Sequence, residues 1–290
     1  MKSFIKFVLV FSGILLLSAV LAPLLFQVLP FKFERIFNRL VMIFTLASLF
    51  VFVRLRREDF ARWGLTGTAG KSGLFLRGFA AVWIILLGLV GFKALLGEAH
   101  FQLAAAGEWK YGLRLIKDLS AALLIGLIEE FFFRGVIYSH LKTRFHWPAA
   151  AAVGVTSIFY SLIHFISDRS PFIGPEPRFA DSLKLIAAPF SSLANVPEYW
   201  AAAVGLFIFG VALNVALIRT GSLFPAMGIH AGAVFFIKSD SLFVDFLNRK
   251  PFLFGTEKQY DGVLGWLFLM LLSALLLWMF PSKKAETAKA

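Results

Sequence analysis

The apolar residues of this chain fall in long unbroken runs, not at the period of two or 3.6 that marks one buried face of a soluble element. Runs occupy 7–29, 38–53, 74–97, 114–139, 148–167, 199–218, 222–238 and 262–280. A helix needs about 20 apolar residues to cross a bilayer, so the pattern predicts an all-α, polytopic integral membrane protein of about eight transmembrane helices. The first run follows Lys2 and Lys6 and carries a small-residue stretch, Ala19-Val20-Leu21-Ala22, of the kind found at signal cleavage sites. It continues through Pro23-Leu24-Leu25-Phe26 to Leu29, too long for a signal core, and predicts an uncleaved first helix. The longest connection, about 168–198, holds Pro171, Pro175, Pro177, Pro189 and Pro197 and is not a span. Within it, Leu183, Leu185, Ile186, Phe190 and Leu193 predict a short amphipathic segment over Ser182–Leu193, suited to a membrane interface.

Composition agrees with a bilayer. The 290 residues are 59% hydrophobic and 16% charged, with a mean hydropathy of +0.80, where soluble domains carry about 25% charge. Cysteine is absent, which excludes disulfides, a thiol nucleophile and thiolate metal sites. The net charge of +12 does not indicate nucleic acid as a partner, because the basic residues are scattered between the apolar runs. Arg54, Arg56, Arg57 and Arg62, then Lys142 and Arg144, then Lys283 and Lys284 flank spans, where topology and anionic lipid headgroups call for them. Their density in the short connections predicts both termini in the cytoplasm, in a cell-membrane protein whose partners include lipids. No internal repeat, Walker, Rossmann or EF-hand spacing is present, and 1–290 reads as a single membrane domain.

Chemistry is expected where polar residues interrupt the hydrocarbon. The fourth run contains Glu129, Glu130 and Arg134, and each such charge costs about 2.5–3.5 kcal/mol at a helix centre. Partners and water must receive them, which predicts an intramembrane polar cavity. Glu130 and Arg134 are an i,i+4 pair, spaced for a carboxylate–guanidinium bond. Glu129 lies about 100° away around an α-helix and can point elsewhere. Two adjacent carboxylates, one held by arginine, differ in proton affinity, which suits acid–base work. Two of the five histidines also lie within runs, His164 after Ser157-Ile-Phe-Tyr160-Ser161, and His230 after Phe224-Pro225. A glutamate and two histidines from three helices can activate a water and stabilise an oxyanion. Gly126, four residues before Glu130, predicts a close approach by a neighbouring helix.

Glu129-Glu130-x-x-x-Arg134 on one span, a histidine late on the next, and a second histidine after Arg219-Thr220-Gly221-Ser222-Leu223 resemble the CPBP intramembrane protease family, also called the CAAX prenyl protease or Abi family. The likeness covers a core of 114–236, and Arg62-Trp63-Gly64-Leu65 adds a weaker one. The resemblance implies a glutamate-dependent endopeptidase of about eight helices. It assigns Glu129 as general base on a water assisted by His164, His230 to the oxyanion site, and Glu130 with Arg134 to ordering the site. Tyr160 stands where the family often has Phe. Val234, four residues after His230, stands where it often has Asn or Asp, and Asn214 is a candidate to supply the hydrogen bond that Val234 cannot.

The expected function is therefore hydrolysis of a peptide bond in a membrane-associated peptide or protein, with no cofactor and no metal. The sequence leaves two alternatives open. A proton-coupled transporter could use the same acidic cavity, and a catalytically silent scaffold or immunity protein could bind a membrane peptide, which Val234 favours.

Overall fold

The computed structural model describes residues 2–52, 57–66, 70–102, 108–165, 173–193 and 196–281. In chain order its elements are α1 (Lys2–Phe26), α2 (Phe33–Phe52), α3 (Arg57–Arg62), α4 (Lys71–Leu95), β1 (Ala99–Phe101) and α5 (Glu108–Glu130). A π-helical segment (Phe131–Tyr138) follows, then α6 (Ser139–Thr143), α7 (Ala149–Ile163), α8 (Phe179–Leu193), α9 (Val196–Thr220) and α10 (Leu223–Ser239). A 3-10 turn (Asp240–Leu242), β2 (Val244–Phe246), α11 (Pro251–Phe254) and α12 (Val263–Met279) complete it. Among the described residues each apolar run contains a helix. Among the described residues three helices are long and apolar enough by themselves to cross a membrane, at Leu9–Phe26, Lys71–Leu95 and Tyr199–Thr220, while α7 and α12 are apolar but shorter. Of the charges read as topology markers, Arg54, Arg56, Lys283 and Lys284 lie outside the described residues, as does Pro171.

The chain forms two compact units, one of Met1–Asp59 with Leu162–Pro197 and one of Phe60–Ser161 with Glu198–Ala290. The first is built on α1, α2 and α8. Ala19 and Ala22 of α1, Phe33, Ile36 and Phe37 of α2 and Leu185 of α8 make its buried cluster. The small residues let α8 come close enough for the Ser182 hydroxyl to donate to the Ala19 carbonyl at 3.0 Å. The amphipathic segment expected over Ser182–Leu193 is thus a helix that begins three residues earlier. Its first turn is fixed by Asp181, which accepts from Lys184 Nζ at 2.7 Å and from the Arg178 N–H at 2.9 Å.

The second unit is organised around α10. This helix is buried on nearly every side, from Leu223 through Phe236, as a helix apolar all round must be. It packs between α4 and α5 through glycines. A Cβ on Gly78 would strike the Pro225 carbonyl, and one on Gly228 would strike the Phe75 carbonyl. A Cβ on Gly126 of α5 would lie 2.9 Å from the Ala231 nitrogen and 3.1 Å from the Met227 oxygen. Gly126 is the close-approach position its place in the sequence suggests.

The start of α10 is set by its cap and by a contact from far along the chain. Ser222 is extended at the N-cap and its hydroxyl accepts from the Phe224 N–H at 3.3 Å. The Leu223 N–H donates to the Trp63 carbonyl at 3.0 Å. Gly64 there is left-handed, with φ of 66°, and a Cβ would meet the Gly221 oxygen at 2.8 Å. At the other end β1 pairs antiparallel with β2, His100 opposite Asp245.

Candidate active site

Glu129 and Glu130 are the last residues of α5, and Arg134 lies in the π-helical segment. The sequence predicts a continuous α-helix through this region; the structure widens it to a π-helix over Phe131–Tyr138. Isolated π-turns inside α-helices are frequent at functional sites. Here the wider turn accommodates consecutive bulky rings. Phe131 packs edge-on against Trp63 at 5.2 Å and Phe133 edge-on against Tyr160 at 5.1 Å. The expected Glu130–Arg134 pair forms despite the changed helical period, with Arg134 Nη1 3.0 Å from Glu130 Oε1 and both side chains fully buried.

Arg134 is held on two further sides. Its Nη2 donates to the Gly210 carbonyl of α9 at 3.1 Å, and its guanidinium carbon sits 4.6 Å over the Tyr160 ring, a favourable cation–π contact. Gly210 is also the point where α9 meets α7. A Cβ there would be 3.1 Å from the Ser157 Cβ.

Asn214 lies one turn later, fully buried. Its amide nitrogen donates to the Gly210 carbonyl at 2.9 Å and to Ser157 Oγ at 3.3 Å. The carbonyl acceptor fixes which end of the amide faces it, and both amide hydrogens are then engaged. The donors of Asn214 are thus engaged by α7 and α9, and the Gly210 carbonyl that takes one of them also accepts from Arg134 Nη2.

His230 projects from the middle of α10, 2% exposed. Its Nδ1 is 2.8 Å from Glu130 Oε1, and its Nε2 is 3.8 Å from Glu129 Oε2 and 3.5 Å from the Tyr160 hydroxyl. One imidazole thus faces both carboxylates. The two glutamates are unequal: the Glu130 side chain is fully buried, whereas that of Glu129 is 30% exposed. Glu130 Oε2 and Arg134 Nε are buried without a hydrogen-bond partner among the described residues. Such atoms cost about 1–3 kcal/mol each, which a fold built for packing alone would avoid. No group of three or more His, Asp or Glu side chains among the described residues is placed to hold a metal ion.

Six of the seven singled-out residues, Glu129, Glu130, Arg134, Tyr160, Asn214 and His230, lie in the second unit. His164 belongs to the first unit. It stands half-buried in the turn after α7, which ends at Ile163, four residues short of the predicted run, where the Phe165 N–H bonds back to the Leu162 carbonyl at 3.1 Å.

Two features of the second unit escape a reading of function from sequence. Trp63, 2% exposed, ties the connection before α4 to the π-segment and to the cap of α10; its only signal is the Arg62-Trp63-Gly64-Leu65 likeness. The other is a buried polar chain at the far end of α10. Lys93 Nζ donates to Gln259 Oε1 at 2.9 Å, and Gln259 Nε2 donates to Asp240 Oδ2 at 3.2 Å. Burial pushes the Asp240 carboxyl up to about 6, against the bond from Gln259. Three residues so far apart in sequence carry no shared local signal.

Searches of curated proteins and of solved structures give no match. A family comparison does: residues 112–236, the span from α5 to α10 that holds the glutamates, Arg134, Tyr160, Asn214 and His230, match the type II CAAX prenyl endopeptidase Rce1-like family. The resemblance carried by Glu129-Glu130-x-x-x-Arg134 and the two histidines is borne out over this segment, where residues 112–236 are similar to the Rce1-like CAAX protease family.

Proposed function

We propose that the protein is an intramembrane endopeptidase in which Glu129 activates a water that hydrolyses a peptide bond of a membrane-associated substrate. The observation that carries this is the asymmetry of the two carboxylates on one histidine. Glu130 is locked, fully buried, between Arg134 and His230 Nδ1. Glu129, 30% exposed, faces the other ring nitrogen. A locked carboxylate orients, and an accessible one can take a proton from water. The low dielectric around them strengthens every such interaction. Arg134, Tyr160 and Asn214 hold the arrangement, and the resemblance assigns His164 a part in the same reaction.

The family match supports a substrate ending in a prenylated Cys-a-a-X sequence, and the basic residues of the short connections support an orientation with both termini on the cytoplasmic face. The test uses purified full-length protein in proteoliposomes and a quenched fluorescent peptide with a farnesylated C-terminal Cys-a-a-X. Wild type is expected to cleave it. Glu129→Gln is expected to lose at least roughly 100-fold in kcat, the scale of a removed general base, with thermal stability retained. Full activity in Glu129→Gln sinks the assignment of the base, and full activity in His164→Ala removes His164 from the mechanism.

A further inference from the structure

His230 has two ring nitrogens with different surroundings. Nδ1 carries the hydrogen bonded to Glu130 Oε1 at 2.8 Å, because an ionised carboxylate only accepts. Nε2 looks toward the Tyr160 hydroxyl at 3.5 Å and Glu129 Oε2 at 3.8 Å. Among the described residues, the charged and titratable groups around the imidazole include Glu129 and Glu130 from α5, Arg134 from the π-segment and Tyr160 from α7, with Tyr260 beyond it.

Two carboxylates and one guanidinium leave one negative charge uncompensated beside the fully buried Glu130 and Arg134, which low dielectric disfavours. One further proton neutralises the set. Both bonds to Glu130 fall on Oε1, while its Oε2 meets no partner among the described residues; the two places for the proton that face one another are His230 Nε2 and the Glu129 carboxyl. Moving between them breaks one O–H bond and forms one N–H bond, with no other reactant. When the proton is on Nε2 that nitrogen needs an acceptor. When it is on Glu129, Nε2 needs a donor. A phenol hydroxyl both donates and accepts, its hydrogen turning between the two positions in the ring plane; a phenylalanine ring does neither. The Tyr160 ring cannot drift, since the guanidinium of Arg134 stacks on it at 4.6 Å and Phe133 abuts it edge-on.

We propose that Tyr160 is a positioning residue whose hydroxyl follows this proton, accepting from His230 Nε2 when the imidazole is charged and donating to it when neutral, so that the ring stays in place while Glu129 changes protonation. The proposal rests on the hydrolytic reading of the site, but its primary test does not. Tyr160→Phe removes only the hydroxyl and keeps the ring contacts. With selectively ¹⁵N-labelled histidine in the full chain, His230→Gln identifies the His230 resonances. Tyr160→Phe is expected to shift the Nε2 resonance and leave Nδ1 in its protonated range. In the cleavage assay the same variant is expected to lose about tenfold in kcat with KM unchanged, the size of one hydrogen bond to a charged partner. An unchanged Nε2 resonance in Tyr160→Phe, or a bare Nδ1 in wild type, overturns the proposal. Should Tyr160→Phe fail to fold, replacing the tyrosines with 3-fluorotyrosine acidifies the phenol in reach of Nε2; a shift there supports the role and its absence refutes it. A wild type that cleaves nothing while Tyr160→Phe still moves Nε2 refutes the protease reading alone.

Discussion

Arg134 joins three parts of the site: Glu130, the Gly210 carbonyl and the Tyr160 ring. Removing one partner of a buried pair strands the other, at a cost of about 3–5 kcal/mol. Arg134→Met is therefore expected to lower thermal stability sharply as well as abolish cleavage. Arg134→Lys retains the charge but cannot reach Glu130 and Gly210 together from one planar group, and it is expected to fold while losing most activity; unfolding curves in detergent with parallel assays check both. Asp240 behaves in the opposite sense. Its carboxyl is pushed up to about 6 by burial, with Glu257 adding to the rise and Gln259, Ser241 and Lys93 opposing it. A carboxyl that binds its proton more tightly folded than unfolded adds stability at low pH, and that contribution is lost as pH rises through about 6. Wild-type stability is expected to gain between pH 7 and pH 5 from this group, and Asp240→Asn to flatten that part of the pH–stability curve. The Glu130–Arg134 pair was legible in the sequence because i,i+4 spacing is a local rule. The Lys93–Gln259–Asp240 chain was not, since only the packed fold brings those residues together.

At the scale of helices, glycine sets how closely α10 lies against α4 and α5. Gly228→Ala drives a methyl into the Phe75 carbonyl, and Gly126→Ala places one 2.9 Å from the Ala231 nitrogen. Backbone cannot yield as a side-chain tip can, so each is expected to destabilise, by about 1–3 kcal/mol on the scale of overpacked cores, and to misplace His230 relative to the glutamates. Gly91 of the same α4 faces open space, with nothing within 4 Å of where an alanine methyl would stand. Gly91→Ala is expected to be neutral or slightly stabilising, because alanine favours helix; thermal shifts of the three variants side by side separate close packing from helix propensity. The helices themselves could be read from unbroken apolar runs, and Gly126 from its small size on the face of Glu130. The π-helix over Phe131–Tyr138 could not, because a helix's local widening depends on what the Phe rings meet, here Trp63 and Tyr160. Nor could the meeting of His230 with both carboxylates, which is a product of the α5–α10 approach.

For the molecule as a whole, two contacts within the second unit bear on how the chain threads the membrane. β1 pairs with β2, joining the connection after α4 to the one after α10. Trp63 bonds to Leu223, joining the connection before α4 to the one after α9. In an eight-span arrangement the first two connections follow an odd number of crossings and the second two an even number, so each contact joins loops that share a side. In the orientation proposed above from the basic residues of the short connections, the Trp63–Leu223 end faces the cytoplasm. The chain lacks cysteine, so single cysteines report position without background. His100, Arg144 and Lys250 are all exposed. In intact cells a membrane-impermeant maleimide is expected to label His100→Cys and Lys250→Cys, and to reach Arg144→Cys only after permeabilisation. Labelling on the reverse sides inverts the orientation but keeps the threading. Labelling of His100→Cys and Lys250→Cys from different sides breaks the threading itself, since paired strands cannot lie across a bilayer from each other, and with it the placing of α5 and α10 as neighbouring antiparallel spans that lets His230 reach Glu129 and Glu130.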